Sequence, residues 1–190
     1  MLKLYKKKDN LWSQIPNRFV VSIPNLLASG RVLDLGAGEG KNSVFLAEKG
    51  FNVTSVDISQ DAIAKTLKLA KEKKVDLKGI VGDITKFKPE GQYEVIITTA
   101  TLHLLKEKNA LAAIQRMKMW TKIDGINLIT VFTTKDPGFF SHPHLYFFKE
   151  NELKQLYFDW EIIEYSVYSK AEAHNAPHTH HMTAIIAKKI

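Results

Sequence analysis

The chain of 190 residues contains no cysteine. That absence excludes a disulfide framework, a thiolate metal site and a cysteine nucleophile. Arginine is scarce, present only as Arg18, Arg31 and Arg116, so the formal net charge of +7 is carried almost entirely by lysine. Bidentate recognition of phosphate and guanine favours arginine. Lys65, Lys68, Lys71, Lys73 and Lys74 fall along one predicted helix as a solvated face. Nucleic acid is therefore not the expected partner, and a small anion suits the charge better. No run of about 18 apolar residues occurs, so no membrane span is expected. The lysine-bearing stretch from Met1 to Asn10 lacks the apolar core of a secretory signal. The expected location is the cytoplasm.

What is present fits one globular domain. Hydrophobic residues make up 45% and charged residues 25%, enough for a sizeable core. Residues 1–29 read as an arm and helix in which Trp12, Ile15, Phe19, Val20 and Ile23 recur at helical spacing, interrupted by Pro16 and Pro24. Such an arm either caps the sheet or covers a cleft. From residue 31 to 133 strands and helices alternate. Strands are predicted over 32–35, 51–56, 77–81, 93–99 and 126–133, the last entered through a turn at Asp124-Gly125. Helices are predicted over 42–49, from Ser59 onward, and through Leu111, Ile114, Met117 and Trp120. Beyond residue 134 come an aromatic loop, a short helix over 150–157, and closing strands over 162–167 and 182–187 joined by a histidine-rich connection. The expected fold is α/β: a Rossmann-like, doubly wound, mostly parallel seven-stranded sheet with an antiparallel C-terminal edge strand.

The cofactor-binding half, 31–133, is organised around Asp34-Leu35-Gly36-Ala37-Gly38-Glu39-Gly40-Lys41. In a doubly wound sheet, ligands bind outside the carboxyl ends of the strands. Alternating glycines there allow close backbone approach, and the next helix offers unpaired N–H groups. Asp57 ends the second strand, where a carboxylate can accept both ribose hydroxyls; Asp83 ends the third, within reach of an adenine amino group. A dinucleotide fingerprint needs a third glycine at its proper spacing, which Lys41 interrupts. S-adenosylmethionine carries no phosphate, and an acid at Asp34 suits its ammonium or sulfonium, or orients the turn through backbone bonds.

Val32–Gly40, Val56-Asp57-Ile58-Ser59, Gly82-Asp83-Ile84 and Tyr93–Ile97 together resemble the motifs of class I S-adenosylmethionine-dependent methyltransferases. Within that superfamily the chain is most similar to the tellurite-resistance methyltransferases, through Gly40-Lys41-Asn42-Ser43, Thr98–Leu105 and Phe147–Leu153. The resemblance implies S-adenosyl-L-methionine as cofactor. It places Asp34, Gly36 and Gly38 near the methionine part, Asp57 at the ribose with Ile58 also in the cofactor site, Asp83 and Ile84 around adenine, and Thr99 beside the sulfonium. It also implies a catalytic His-Arg pair near the C-terminus. Here that pair is His174-Asn175, which keeps the histidine and loses the guanidinium.

His103, just beyond the fourth strand, is the other catalytic candidate; it either contacts substrate or starts the next helix. His142/His144 and His178/His180 have ligand-like spacing, yet without cysteine or a recognisable carboxylate partner no metal site is expected. Methyl transfer from a sulfonium needs alignment and exclusion of water more than activation. A soft acceptor such as tellurite, selenite or a thiol needs little base assistance, whereas an oxygen or nitrogen acceptor needs a proton acceptor. The expected function is methyl transfer to a small soft nucleophile. The alternatives are another small O or N acceptor, or a non-catalytic module that binds the cofactor.

Overall fold

The computed structural model describes residues 14–172 and 178–190. Two compact units make up the chain, Met1–Ile97 and Thr98–Ile190.

The first described elements of the first unit are two single-turn helices, α1 (Arg18–Val21) and α2 (Ile23–Leu26). Asn17 caps α1 by accepting the Phe19 N–H, and Pro24 starts α2, where its missing N–H costs nothing. The prolines thus divide the expected helix. Strand β1 (Arg31–Leu35) lies between β2 (Asn52–Asp57) and β4 (Tyr93–Thr99), parallel to both, and β3 (Lys78–Val81) runs parallel to β2. Covered on both faces, β1 reads as a continuous apolar run: Val32, Leu33 and Leu35 are buried. Helix α3 (Lys41–Glu48) connects β1 to β2, and α4 (Gln60–Glu72) connects β2 to β3. Ser59 caps α4 by accepting the Ala62 N–H at 3.3 Å, and Ala62, Ile63, Thr66 and Ala70 form its buried stripe.

In the second unit a 3-10 turn (Leu102–Leu104) leads to α5 (Glu107–Trp120), which buries Ala110, Ala113, Ile114 and Met117 at helical spacing. Strand β5 (Thr121–Phe132) follows at once. The turn expected at Asp124-Gly125 is instead a kink inside that strand, with Asp124 at φ +63°. The Asp124 N–H donates to the Lys189 carbonyl and the Lys189 N–H to the Gly125 carbonyl, each at 2.9 Å. Non-local pairing carries the strand through a local turn signal. Two short helices, α6 (Gly138–Ser141) and α7 (Glu152–Leu156), precede β6 (Glu161–Glu172) and β7 (His178–Lys188).

Both closing strands exceed their expected length because β6 and β7 pair antiparallel from Glu161↔Lys188 to Glu172↔His178. His178, His180 and His181 therefore belong to β7 and not to a connection. Strand order is β3-β2-β1-β4-β5-β7-β6 in a seven-stranded sheet. The antiparallel strand is β7, inserted between β5 and β6, which leaves β6 at the rim.

Candidate active site

The turn after β1 is held by backbone and side-chain bonds at successive residues. Gly36, Gly38 and Gly40 have φ of +78°, +57° and +83°. The Gly36 and Ala37 N–H groups both donate to the Val56 carbonyl, at 2.7 and 3.1 Å. At Gly40 a Cβ would meet Thr66 Cγ2 at 2.5 Å, so helix α4 excludes any side chain there. Thr66 in turn donates its hydroxyl to the Gly38 carbonyl at 3.0 Å. Glu39, itself buried, pairs with Lys65 of α4 at 2.7 Å.

Asp34 is the unsatisfied member of this arrangement. Its register partner on β2 is Ser55, whose hydroxyl donates to Ser43 at 2.7 Å; Ser43 donates to Asp34 Oδ2 at 2.6 Å. All three residues are buried. Asp34 Oδ1 has no hydrogen-bond partner among the described residues. Burial, only partly offset by the Ser43 bond and reinforced by the neighbouring charge of Asp57, pushes the Asp34 carboxyl up to about 7. An unpaired buried carboxylate oxygen calls for a cationic donor. The ammonium of S-adenosylmethionine meets that need, and the pyrophosphate of a dinucleotide would be repelled.

Asp57 closes β2 and is 8% exposed. Its Oδ2 accepts the Gly38 N–H and its Oδ1 the Ser59 N–H, both at 2.9 Å, so the acid also braces the turn. Beside it Ile58 leaves an apolar side chain 56% exposed, a flat contact of the kind an adenosine could cover. The Gly82 N–H donates to the Asp57 carbonyl at 2.9 Å, which brings the end of β3 alongside. There Asp83 Oδ1 accepts from the backbone N–H and hydroxyl of Thr85 at 2.8 and 2.7 Å, and Ile84 is buried. The first unit thus gathers Asp34, Gly36, Gly38, Asp57, Ile58, Asp83 and Ile84 at the carboxyl ends of β1, β2 and β3.

The remaining candidates lie in the second unit or outside the described residues. Thr99 is the half-buried last residue of β4. His174 and Asn175 lie outside the described residues. His103 sits in the 3-10 turn, 3% exposed, stacked on Phe132 with ring centroids 3.9 Å apart. Burial, and then the neighbouring His180, push its imidazole down to about 3, so it is a neutral ring and a weak proton acceptor near pH 7. Its Nδ1 has no hydrogen-bond partner among the described residues. Phe147 and Phe148 are core residues, whereas Phe140 is exposed. His142 and His144 lie on the exposed loop.

Sequence reasoning missed Asp136. Its Oδ1 accepts the Gly138 N–H at 2.8 Å, and its Oδ2 lies 2.9 Å from His180 Nδ1 and 3.0 Å from the donating His181 N–H. Lys135-Asp136-Pro137-Gly138 reads locally as an ordinary turn. Only the start of β7 brings a histidine to it. Ser43 and Ser55 were missed for the same reason, since their link to Asp34 joins β2 to helix α3 and α3 to β1. Among the described residues no three His, Asp or Glu side chains converge as a metal-ligand set, and no helix is long and apolar enough to cross a membrane.

Comparison with known proteins identifies the family. A family model described as Tellurite resistance protein TehB matches residues 3–179. The chain is 31% identical over 170 residues to a Haemophilus influenzae protein named as a probable S-adenosyl-L-methionine-dependent methyltransferase, TehB, covering 87% of this chain and 59% of that one. The crystal structure of TehB from Haemophilus influenzae superposes with a TM-score of 0.83 at 27% identity, over 92% of this chain and 62% of that one. The chain thus spans about three-fifths of the length of these relatives. Magnesium protoporphyrin IX methyltransferase of Synechocystis, crystallised with bound SAH, shares the fold with a TM-score of 0.73 at 19% identity, over 90% and 78% of the two chains. The chain belongs to the TehB family and shares the fold of S-adenosylmethionine-dependent methyltransferases.

Proposed function

We propose that the chain transfers a methyl group from S-adenosyl-L-methionine to a small soft nucleophile of the tellurite, selenite or thiol type. The observation that carries the donor half is the unpaired, buried Oδ1 of Asp34 beneath the glycine turn. In this reading Asp34 receives the ammonium of the methionine part, Asp57 binds the ribose, and Ile58, Asp83 and Ile84 surround the adenine. The donor supplies an electrophilic methyl already activated by its sulfonium charge. The chain's own residues bind and orient the partners and keep water away.

The acceptor class is supported by the family, whose description is tellurite resistance. It is further supported by the neutrality of His103, since a soft acceptor makes little demand for a strong base. Calorimetry with S-adenosylmethionine and with NAD tests the donor: binding of the first and not the second is expected, and the reverse would refute the assignment. Screening methyl transfer to tellurite, selenite and small thiols tests the acceptor. Transfer only to an oxygen or nitrogen acceptor would overturn that part.

A further inference from the structure

Two neighbouring residues in the first turn of α3 are bonded in different directions. Ser43 donates its hydroxyl at 2.6 Å to Oδ2 of Asp34, the acid that receives the donor's ammonium in the reading above. Asn42, the residue before it, accepts the Asn17 N–H on its Oδ1 at 2.9 Å. Both side chains are buried, and Asn42 is 3% exposed. Helix α3 starts directly after Gly40, the last glycine of the turn. One helical turn is therefore shared. Ser43 ties it to the donor site, and Asn42 ties it to the N-terminal arm.

Asn17 is the residue from which α1 hangs. Its Oδ1 accepts the Phe19 N–H at 3.0 Å, and its carbonyl accepts the Val20 and Val21 N–H groups at 2.9 and 3.1 Å. Among the described residues, the one hydrogen bond that Asn17 makes outside the arm is the bond to Asn42. A helix of four residues is unstable by itself, because a single turn fixes more dihedral angles than its few hydrogen bonds offset. Such a turn is either docked and capped or released and unwound. Burial of Phe19, Val20 and Ile23 favours the docked state, and the Asn17–Asn42 bond fixes where it docks. Every residue on this path belongs to the first unit.

We propose that Asn42 is a positioning residue that couples docking of the arm, residues 14–27, to occupation of the donor site, an assignment that rests on the donor reading above. A cation on Asp34 Oδ1 fixes the acid, and the acid fixes the first turn of α3 through its bond from Ser43. That turn then holds Asn42 Oδ1 in place for the Asn17 N–H, and the docked state of α1 gains population. Without the cation the acid and the turn are less constrained, and release of the arm is easier. Coupling of this kind is reciprocal. The factor by which the donor favours docking is the factor by which docking favours the donor. The arm thereby acquires a part in donor affinity, exerted through Asn42.

Amide hydrogen exchange on the full chain reads the docking directly. Saturating S-adenosylmethionine should slow exchange of the Phe19, Val20 and Val21 amides by about tenfold. Asn42→Ala, which removes the acceptor, and Asn17→Ala, which removes the cap of α1, should each raise the calorimetric Kd for S-adenosylmethionine, by up to about the same tenfold. Both should also diminish the donor's effect on those amides. Asn17→Ala leaves α3 and the glycine turn unaltered, so it carries the test if Asn42→Ala fails to fold. Asn42→Asp keeps an accepting oxygen and should bind the donor more tightly than Asn42→Ala. Donor binding without a change in exchange overturns the coupling alone. So does a Kd within about twofold of the unaltered chain in both alanine variants, or an Asn42→Asp variant as weak as Asn42→Ala. Failure of the unaltered chain to bind S-adenosylmethionine overturns the donor reading and the coupling with it.

Discussion

Two buried aspartates, one in each unit, have opposite hydrogen-bond states. Asp136 has both oxygens engaged, by two backbone N–H groups and an imidazole. Asp34 has one oxygen bonded to Ser43 and the other without a hydrogen-bond partner among the described residues. A completed carboxylate organises its neighbours, whereas an incomplete one holds free energy that a bound cation releases. Burial alone therefore does not distinguish a structural acid from a ligand-seeking one; the count of unpaired oxygens does.

The sharpest way to break that contrast is Asp34→Ala. It should weaken S-adenosylmethionine binding by about 1.5–3 kcal/mol, roughly ten- to a hundredfold in Kd by calorimetry, while Asp136→Ala leaves donor affinity unchanged. Gly40→Ala comes next. Its Cβ would lie 2.5 Å from Thr66 Cγ2 at a φ of +83°, so thermal melts should show a loss of about 2 kcal/mol.

The Asp34 carboxyl, pushed up to about 7 by burial, adds a pH signature. Donor affinity should fall about tenfold between pH 8 and pH 6 as the acid takes its proton, and Asp34→Asn should flatten that profile. The sign for the free protein is the reverse of an ordinary paired aspartate. Between about pH 4 and pH 7 the folded chain holds this proton more tightly than the unfolded one, so stability contributed by Asp34 falls as pH rises through that window. Chemical denaturation at pH 5 and pH 8, with Asp34→Asn as control, measures it. The smallest expected effect is Ser55→Ala, which removes the outer hydroxyl of the chain leading to Asp34. It should cost about 1 kcal/mol of stability and change donor affinity by less than about threefold.

The sequence exposes these two regions unequally. Around Asp34 every signal is local: an apolar run ending in an acid, alternating glycines, a serine cap at Ser59. Strand and helix bounds there agree with expectation to within a residue or so. Around Asp136 the determinants are non-local. The run from His178 to His181 has no apolar alternation, and pairing with β6 makes it strand. Asp124-Gly125 shows the converse, a turn-forming pair overridden by its partner strand. The acid that orients His180 lies 44 residues away in sequence, so no spacing rule could reveal it.

The place of β7 in the sheet has a consequence for how the second unit is assembled during synthesis. β6 is made before β7 and, among the described residues, has β7 as its one neighbour in the sheet, so its described partner is absent until the later strand emerges from the ribosome. The long ladder between them, and with it the contact of His180 with Asp136, must therefore form as one of the last events in the unit. A chain cut before Met182 would lose two strands for the removal of one.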